Sequence, residues 1–575
     1  GSVLIIAYHP PFVQRFLKAV LLAMGLVSCG LAQAALTSGT YVAEGKGNNG
    51  PVVVETTIEN GAITKIRVLK NSETPMIGET AIKLLPTKIV DRQSLDIDKV
   101  AGATNSSNAI LTAVGEVLKK AGGSKADLKA VAQKKDQAAV LEDANTDVVV
   151  VGAGGSGMAA AIEAKRKGLN VILIEKLPMI GGTTALSSTA FNAGGSKIQM
   201  ALKKPYTADD YYLKLKGKGP DDASLRNLAD LSGPTTDWLV DMGADLGRVI
   251  NGSQHTPKDG GALGAMLVPV MKKQLDKLGI EPRTSTKAED LYVKDGRVAG
   301  VRVSHDNGKY VIHAKGVILA TGGFASNPEL VAKYTPMWAG YPSTASRGAT
   351  GDALAMATKV GAALGQMDRS GPQTVAYQTG NGAVSLTNVR YNGAILVNED
   401  GNRFVNELAL TPILGKAIKD QKDRHAYLIF DQASVDRAAL MKKYKEAGYF
   451  VEAPTLDALA KKLGINAENL SKTVAAYQKG MDDGVDHEFG RKDSRFSRID
   501  KVPYYGAKIS PASQTTYGGV KIDLKARAVT ETGKVIPGLY VSGEAASQYG
   551  QGVSIGVILG KLAADTAAED IAKMK

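Results

Sequence analysis

At 575 residues, 44% of them hydrophobic, the chain is long enough for three or four domains, each with its own core. Its net charge of +13 comes mostly from lysines dispersed among acids, and aromatic residues make up only 5%. The excess therefore reads as a solvated surface, and a nucleic-acid partner is excluded. Six histidines, none in ligand spacing, and a single cysteine argue against a metal centre.

The first residues read as an export signal. Arg15 and Lys18 precede the apolar run from Ala19 to Val27, and Ala32-Gln33-Ala34 is a small-x-small cleavage site. Residues 1–34 are thus expected to be a signal peptide, too short for a comfortable membrane span, and the mature chain periplasmic or otherwise exported. Leu26-Val27-Ser28-Cys29 also fits a lipoprotein processing box, through Cys29. Cleavage after Ala34 is preferred; it leaves no cysteine, which excludes disulfides, thiolate catalysis and cysteine-ligated iron–sulfur clusters.

Residues 35–123 read as a small α+β unit. Gly39–Gly45 and Val52–Ile58 are strand-like, Asn60-Gly61 is a turn, and Ile63–Leu69 alternates. Asn108–Ala121 is expected to be a helix, with Ile110, Val114, Val117 and Leu118 on one face and Gly122 as its stop. Before it, Asp98 to Ser107 reads by itself as a glycine turn and a polar helix cap. Residues 124–145, rich in Lys, Asp, Gln and Ala, are expected to be a charged helical connector.

Thr146 opens the organising stretch of the chain. Asp147–Val151 is a β-branched buried strand, followed by Gly152-Ala153-Gly154-Gly155-Ser156-Gly157 and a helix from Met158 to Lys167. A second strand, Val171–Ile174, ends on Glu175, which stands 18 residues past Gly157. Strand, glycine turn, helix, strand and acid in this order form a dinucleotide-binding fingerprint. Gly152 allows the turn, Gly154 lets backbone N–H groups approach a pyrophosphate, and Gly157 packs helix on strand. The pyrophosphate would sit on the positive helix end and Glu175 would accept from a ribose hydroxyl. NAD and FAD share this fingerprint. Three further segments decide between them: the Gly/Ser/Thr turn Gly181–Ser188, the strand and turn Gly316–Phe324, and Val535–Glu544 with the helix from Val553 to Lys573.

These segments resemble the FAD domain of the fumarate reductase flavoprotein family, in particular its exported branch of flavocytochrome fumarate reductases, urocanate reductases and related ene-reductases. The resemblance implies an α/β fold: a Rossmann-like FAD domain in two parts, residues 146–365 and 503–575, with an α+β capping domain inserted at 366–502. It implies non-covalent FAD contacts from Gly152, Gly154, Gly155, Ser156, Gly157, Glu175, Lys176, Gly182, Thr183, Thr184, Thr321, Gly322, Gly323, Gly543, Glu544 and Ser554. Residues 35–123 are likewise similar to the FMN-binding domain whose flavin phosphate is esterified to a Thr or Ser hydroxyl. Asp98, Gly102, Ala103 and Thr104 match that motif, with Ala101 where Ser is common. The likeness thus implies covalent FMN on Thr104, a flavin transferase for maturation, and an outside electron donor such as a periplasmic cytochrome or a quinol oxidase system.

The implied chemistry is hydride transfer to the β-carbon of an activated alkene, with a proton delivered to the α-carbon. In the family a cap arginine donates that proton, shortly after an Arg-Phe-hydrophobic-Asn-Glu stretch. Here Arg403-Phe404-Val405-Asn406-Glu407 is followed by Thr411 at the arginine's place. The histidine before the Gly-Gly turn is replaced by Gln514-Thr515-Thr516, and the His-Pro-Thr segment by Gly371-Pro372-Gln373-Thr374. The late carboxylate-clamping arginine has no counterpart in Ala545–Gly550. Arg390 matches a family arginine on the proton-delivery path. Four departures point away from fumarate and urocanate towards a less charged unsaturated acid, ketone or similar acceptor. Tyr517 is the first choice of replacement acid, with Tyr377, Tyr391, Tyr504, Tyr505 and Tyr549 as others; Arg390 and Tyr517 are the catalytic candidates. The rival readings are an FAD-dependent desaturase of the ketosteroid-dehydrogenase type and a non-catalytic electron-transfer flavoprotein.

Overall fold

The computed structural model describes residues 36–47, 50–71, 78–99, 104–131, 139–188, 190–379, 382–492, 498–547 and 552–574. The expected signal peptide with Cys29, the motif residues Ala101, Gly102 and Ala103, and Gln548, Tyr549 and Gly550 lie outside the described residues. The chain divides into two units, residues 1–136 with 443–448, and the remainder.

In the first unit β1 (Gly39–Lys46), β2 (Pro51–Glu59) and β3 (Ala62–Lys70) form an antiparallel sheet in sequential order. Alternation decides its faces: Val52, Val54, Thr56 and Ile58 of β2 are buried, and the residues between them are half-exposed. Helices α1 (Gly78–Arg92) and α2 (Thr104–Lys120) cover the buried face. α2 begins one turn earlier than expected, at Thr104, and buries Ile110, Val114, Val117 and Leu118 as its periodicity requires. α1 escapes a reading by period because Pro86 interrupts its pattern, yet Ala81, Leu85 and Ile89 are fully buried. The connector differs from expectation. Among its described residues the only helical turn is a short 3-10 turn, Lys125–Asp127, closed by a reciprocal Ser124–Asp127 capping box.

After a two-residue strand, Ala139–Val140, the second unit runs into β4 (Ala144–Val151), crosses through α3 (Gly155–Arg166) to β5 (Val171–Ile174), and continues through β6 (Thr286–Lys294), β7 (Arg297–His305) and β8 (Gly308–Leu319). It then enters a second sheet, made of β9 (Ser370–Thr379), β10 (Gly382–Ser385), β11 (Ile395–Val397), β12 (Ala426–Asp431), β13 (Val451–Ala453) and β14 (Tyr504–Thr516). Strands β15 (Arg527–Val529) and β16 (Val535–Val541) rejoin the first sheet, and the long helix Val553–Ala572 ends the fold. β8 is the centre of the first sheet, parallel to β4 through Val317↔Val149 and to β16 through Val317↔Leu539. Its last four residues, Gly316 to Leu319, are buried without a break, as a strand covered on both faces requires. The second sheet runs past the expected boundary at Val502, because β14 pairs with β9, β12 and β13. No helix among the described residues is long and apolar enough to cross a membrane.

Candidate functional site

The C-terminal ends of β4, β5 and β8 open onto a cavity of about 430 Å³, the position where open α/β sheets bind ligands. Gly152 turns the chain after β4 at φ 107°, and a side chain there would meet Ala320 O at 2.1 Å. Gly157 lets α3 cross the turn, since a Cβ would lie 1.7 Å from Gly152 O. Gly154, by contrast, is not crowded: a Cβ there would make only an ordinary contact, 3.8 Å from Gly181 O. It is also the N-cap of α3 and brings no side-chain cap, so the first-turn N–H groups of Ser156 and Gly157 are left to an incoming ligand. Gly322, at φ 78°, faces open space, with nothing within 4 Å of a would-be Cβ. The residues present therefore fit a dinucleotide pyrophosphate.

A buried carboxyl, Glu175, and a half-buried one, Glu544, flank this half. Glu175 accepts from the Ala153 and Leu177 N–H groups, 3.0 and 2.9 Å, and burial raises its pKa in spite of those bonds. Glu544 is pushed up to about 7 by burial, with the Thr516 N–H as its compensating donor. A neutral carboxyl can donate as well as accept, which suits a sugar hydroxyl. Ser156 Oγ and Ser542 Oγ are 2.7 Å apart, and Gly155 N–H donates to Thr184 Oγ1 at 3.1 Å. Lys176 is paired with Asp352 at 2.9 Å.

The opposite wall comes from the second sheet and two short helices, Thr387–Tyr391 and Thr411–Lys419. It presents Pro372, Gln373, Thr374, Thr387, Arg390, Thr411, Gln514 and Thr515. β9 and β14 slip register between Gly371↔Thr515 and Pro372↔Ser513, so Gln514 is the extra residue of a bulge. Such bulges re-aim side chains, and Gln514 reaches the cavity, where it accepts from Gln373 Nε2 at 3.4 Å. Arg390 is 5% exposed. It donates to Glu407 O at 2.9 Å and to Thr387 Oγ1, and lies 4.5 Å from the Tyr391 ring. Burial lowers its pKa, and the neighbouring Arg491 adds to that shift.

Of the expected cofactor residues, Gly152, Gly154, Gly155, Ser156, Glu175, Lys176, Gly182, Thr183, Thr184, Thr321, Gly322, Gly543 and Glu544 line the cavity. Gly157, Gly323 and Ser554 do not: Gly157 and Gly323 sit at close packings in the surrounding frame, and Ser554 is buried. Thr411, Gln373 and Gln514, the positions of altered residues, all reach it. Arg390 lines it and Tyr517 does not. Tyr517 instead stacks on the Arg369 guanidinium, 5.4 Å away, and donates its backbone N–H to Arg369 O. Tyr377, Tyr391, Tyr504 and Tyr505 also stay off the lining; the Tyr505 hydroxyl is spent on Gln432 Oε1 at 2.6 Å. Asn192, Gln254, Ser346, Asp352 and Ser542 line the cavity unannounced. Asn192 and Gln254 sit in short strands, Asp352 opens a helix after Gly351, and Ser542 precedes Gly543; no sequence motif singles them out. Among the described residues no group of His, Cys, Asp and Glu is placed to hold a metal ion.

In the first unit Thr104 is buried and is the first residue of α2. No acid stands in that helix's first turn, so a phosphate on the hydroxyl would meet the positive helix end unopposed.

A model of the FAD binding domain matches residues 147–554, and one of the FMN-binding domain matches residues 47–119. The chain is 37% identical over 459 residues to fumarate reductase (cytochrome) from Shewanella frigidimarina, covering 76% of this chain and 80% of that protein. It is 29% identical over 559 residues to NADH:fumarate oxidoreductase from Klebsiella pneumoniae, covering 94% of this chain but spanning only 59% of that longer protein. The open conformation of a flavocytochrome c3 fumarate reductase superposes with a TM-score of 0.67 at 31% identity, over 74% of this chain and 79% of that one. With the glycine-framed cavity and the FMN-binding match, these likenesses place the chain in the fumarate reductase-like family of flavoproteins, carrying an FAD-binding and an FMN-binding domain.

Proposed function

We propose that this protein is an exported flavin-dependent reductase of activated C=C bonds, acting on an α,β-unsaturated acid or related enone other than fumarate. The observation that carries the reading is the contrast within one cavity: a fitting FAD cradle faces a wall whose one cation among the described residues is Arg390. FAD would be held non-covalently by the α3 turn, Glu175 and Glu544, and FMN by a phosphoester to Thr104. The chemistry those groups supply is hydride donation from FAD and electron entry at FMN.

Arg390 lines the cavity, where it would hold the activating carbonyl oxygen, stabilise charge developing there, and deliver the α-carbon proton. Thr387 and Glu407 O fix its guanidinium in place. Thr374, Thr411, Gln373 and Gln514 supply neutral hydrogen bonds where the family uses charged or imidazole groups. Relative to a site with two more cations, fumarate would lose several charge-assisted hydrogen bonds, each worth about 1.5–3 kcal/mol. The second sheet stands over the cavity as the cap that keeps water out. A small-molecule alkene, an outside electron donor (a periplasmic cytochrome or quinol oxidase system) and a flavin transferase are the partners of this reading. The segment from Arg15 to Ala34 supports export.

Intact mass after acid denaturation tests it, on protein exported and coexpressed with the transferase. The expected result is one covalent FMN increment, lost in Thr104→Ala, with FAD released to the supernatant. FAD alone would remove the FMN relay and bring the desaturase reading forward.

A further inference from the structure

Five charged side chains are buried together beside the cavity: Arg390, Arg403, Arg491, Glu407 and Asp486. Arg403 is satisfied on both sides, by Glu407 at 2.7 Å and Asp486 at 2.9 Å. Arg491 reaches Glu407 at 3.4 Å and donates to Ala394 O and to the Arg390 carbonyl itself. Three guanidiniums against two carboxylates leave a surplus of one positive charge among the described residues. Arg390 is the one member of the five that lines the cavity, and no described carboxylate forms an ion pair with it. A buried charge without a partner is costly, so this arrangement favours one anionic group on whatever fills the cavity.

The rest of that wall is neutral, and its donors are ordered. Gln373 Nε2 engages Gln514 Oε1, and Gln373 Oε1 accepts from Val375 N–H at 3.5 Å. With its carbonyl end so engaged, Gln514 keeps its amide N–H groups for a ligand. They match a neutral carbonyl oxygen, whereas a second carboxylate there would be desolvated without a compensating charge.

We propose that Gln514, oriented by Gln373, sets the substrate class of this site: a monoanionic unsaturated acid whose one carboxylate faces Arg390 and whose second, neutral hydrogen-bonding group is taken by the Gln514 amide. The inference rests on the reductase reading above and narrows it. In the reaction the C=C π bond is replaced by two C–H bonds, one formed by a hydride and one by a proton. Both electrons come ultimately from an external one-electron reductant.

The test uses the flavin-loaded holoenzyme, dithionite-reduced methyl viologen as donor, and three alkenes of one skeleton: fumarate, monomethyl fumarate and dimethyl fumarate, which carry two, one and no charges. The expected kcat/KM for monomethyl fumarate exceeds both others by roughly tenfold or more. Gln514→Arg is expected to shift the fumarate to monomethyl fumarate ratio about tenfold towards fumarate, and the near-isosteric Gln514→Glu to lower monomethyl fumarate turnover most, with flavin content unchanged in both. Fumarate reduced as well as its monoester, or ratios unmoved in both variants, would overturn the proposal. Should no alkene be reduced, the reductase reading fails on its own. Binding of succinate and its monomethyl and dimethyl esters, read from the flavin difference spectrum, still decides the charge selection: it stands if the monoester binds tightest and falls otherwise.

Discussion

The two halves of the cavity follow different rules. The FAD half is built of backbone: Gly152 and Gly157 are fixed by contacts of 2.1 and 1.7 Å that no side chain survives, while Gly154 and Gly322 are left uncrowded. The substrate half is built of side chains on a bulged strand and two short helices, where Thr411, Gln373 and Gln514 can be exchanged without moving the chain. Backbone geometry tolerates few residue types, so the first half announces itself. A side-chain wall tolerates many, and there specificity drifts.

The largest effect that sharpens this contrast lies beneath the substrate wall. Glu407→Gln removes the carboxylate held by Arg403 and Arg491 and leaves buried guanidiniums unbalanced. A loss of about 3–5 kcal/mol is expected, read as a lowered urea midpoint of the second unit's unfolding. Arg390→Met is expected to leave FAD bound but to lower kcat/KM by roughly 10²–10³, as loss of one preorganised donor does. FAD content and kinetics on the same preparation check it.

Glu544 tests the FAD half. Its folded pKa of about 7 lies above its ordinary value of 4.5. The folded, flavin-free protein therefore binds more protons than the unfolded chain between those values, and its stability falls as pH rises from about 4.5 to 7, by up to about 3 kcal/mol. Thermal unfolding across that window should slope in the wild type and be flatter in Glu544→Gln. The smallest effect is expected at Tyr517, which lies off the cavity lining: Tyr517→Phe should change kcat/KM by less than about threefold, whereas loss of a proton donor costs roughly 10²–10⁴.

The same division explains what the sequence made legible. The strand–glycine–helix–strand–acid order from Asp147 to Glu175 carries its own geometry, and β1 to β3 and α2 follow from simple periods. The Gly78–Arg92 helix was hidden by Pro86, and the connector's charge pattern suggested a helix where a capped 3-10 turn stands. The bulge that aims Gln514 arises from the pairing of β9 with β14, more than a hundred residues apart in sequence, which no local pattern encodes. Proximity to glycine in sequence made Tyr517 attractive as an acid, but its ring lies against the Arg369 guanidinium instead.

The most direct measurement is anaerobic reoxidation of the photoreduced holoenzyme, followed by flavin absorbance, with a monocarboxylate enoate as acceptor and mass analysis of the product. Recovery of the oxidised flavin spectrum together with a product two hydrogens heavier, slowed roughly 10²–10³-fold in Arg390→Met, is the expected result. A flavin that stays reduced with every enoate offered, or a wild-type rate retained by Arg390→Met, would contradict the account.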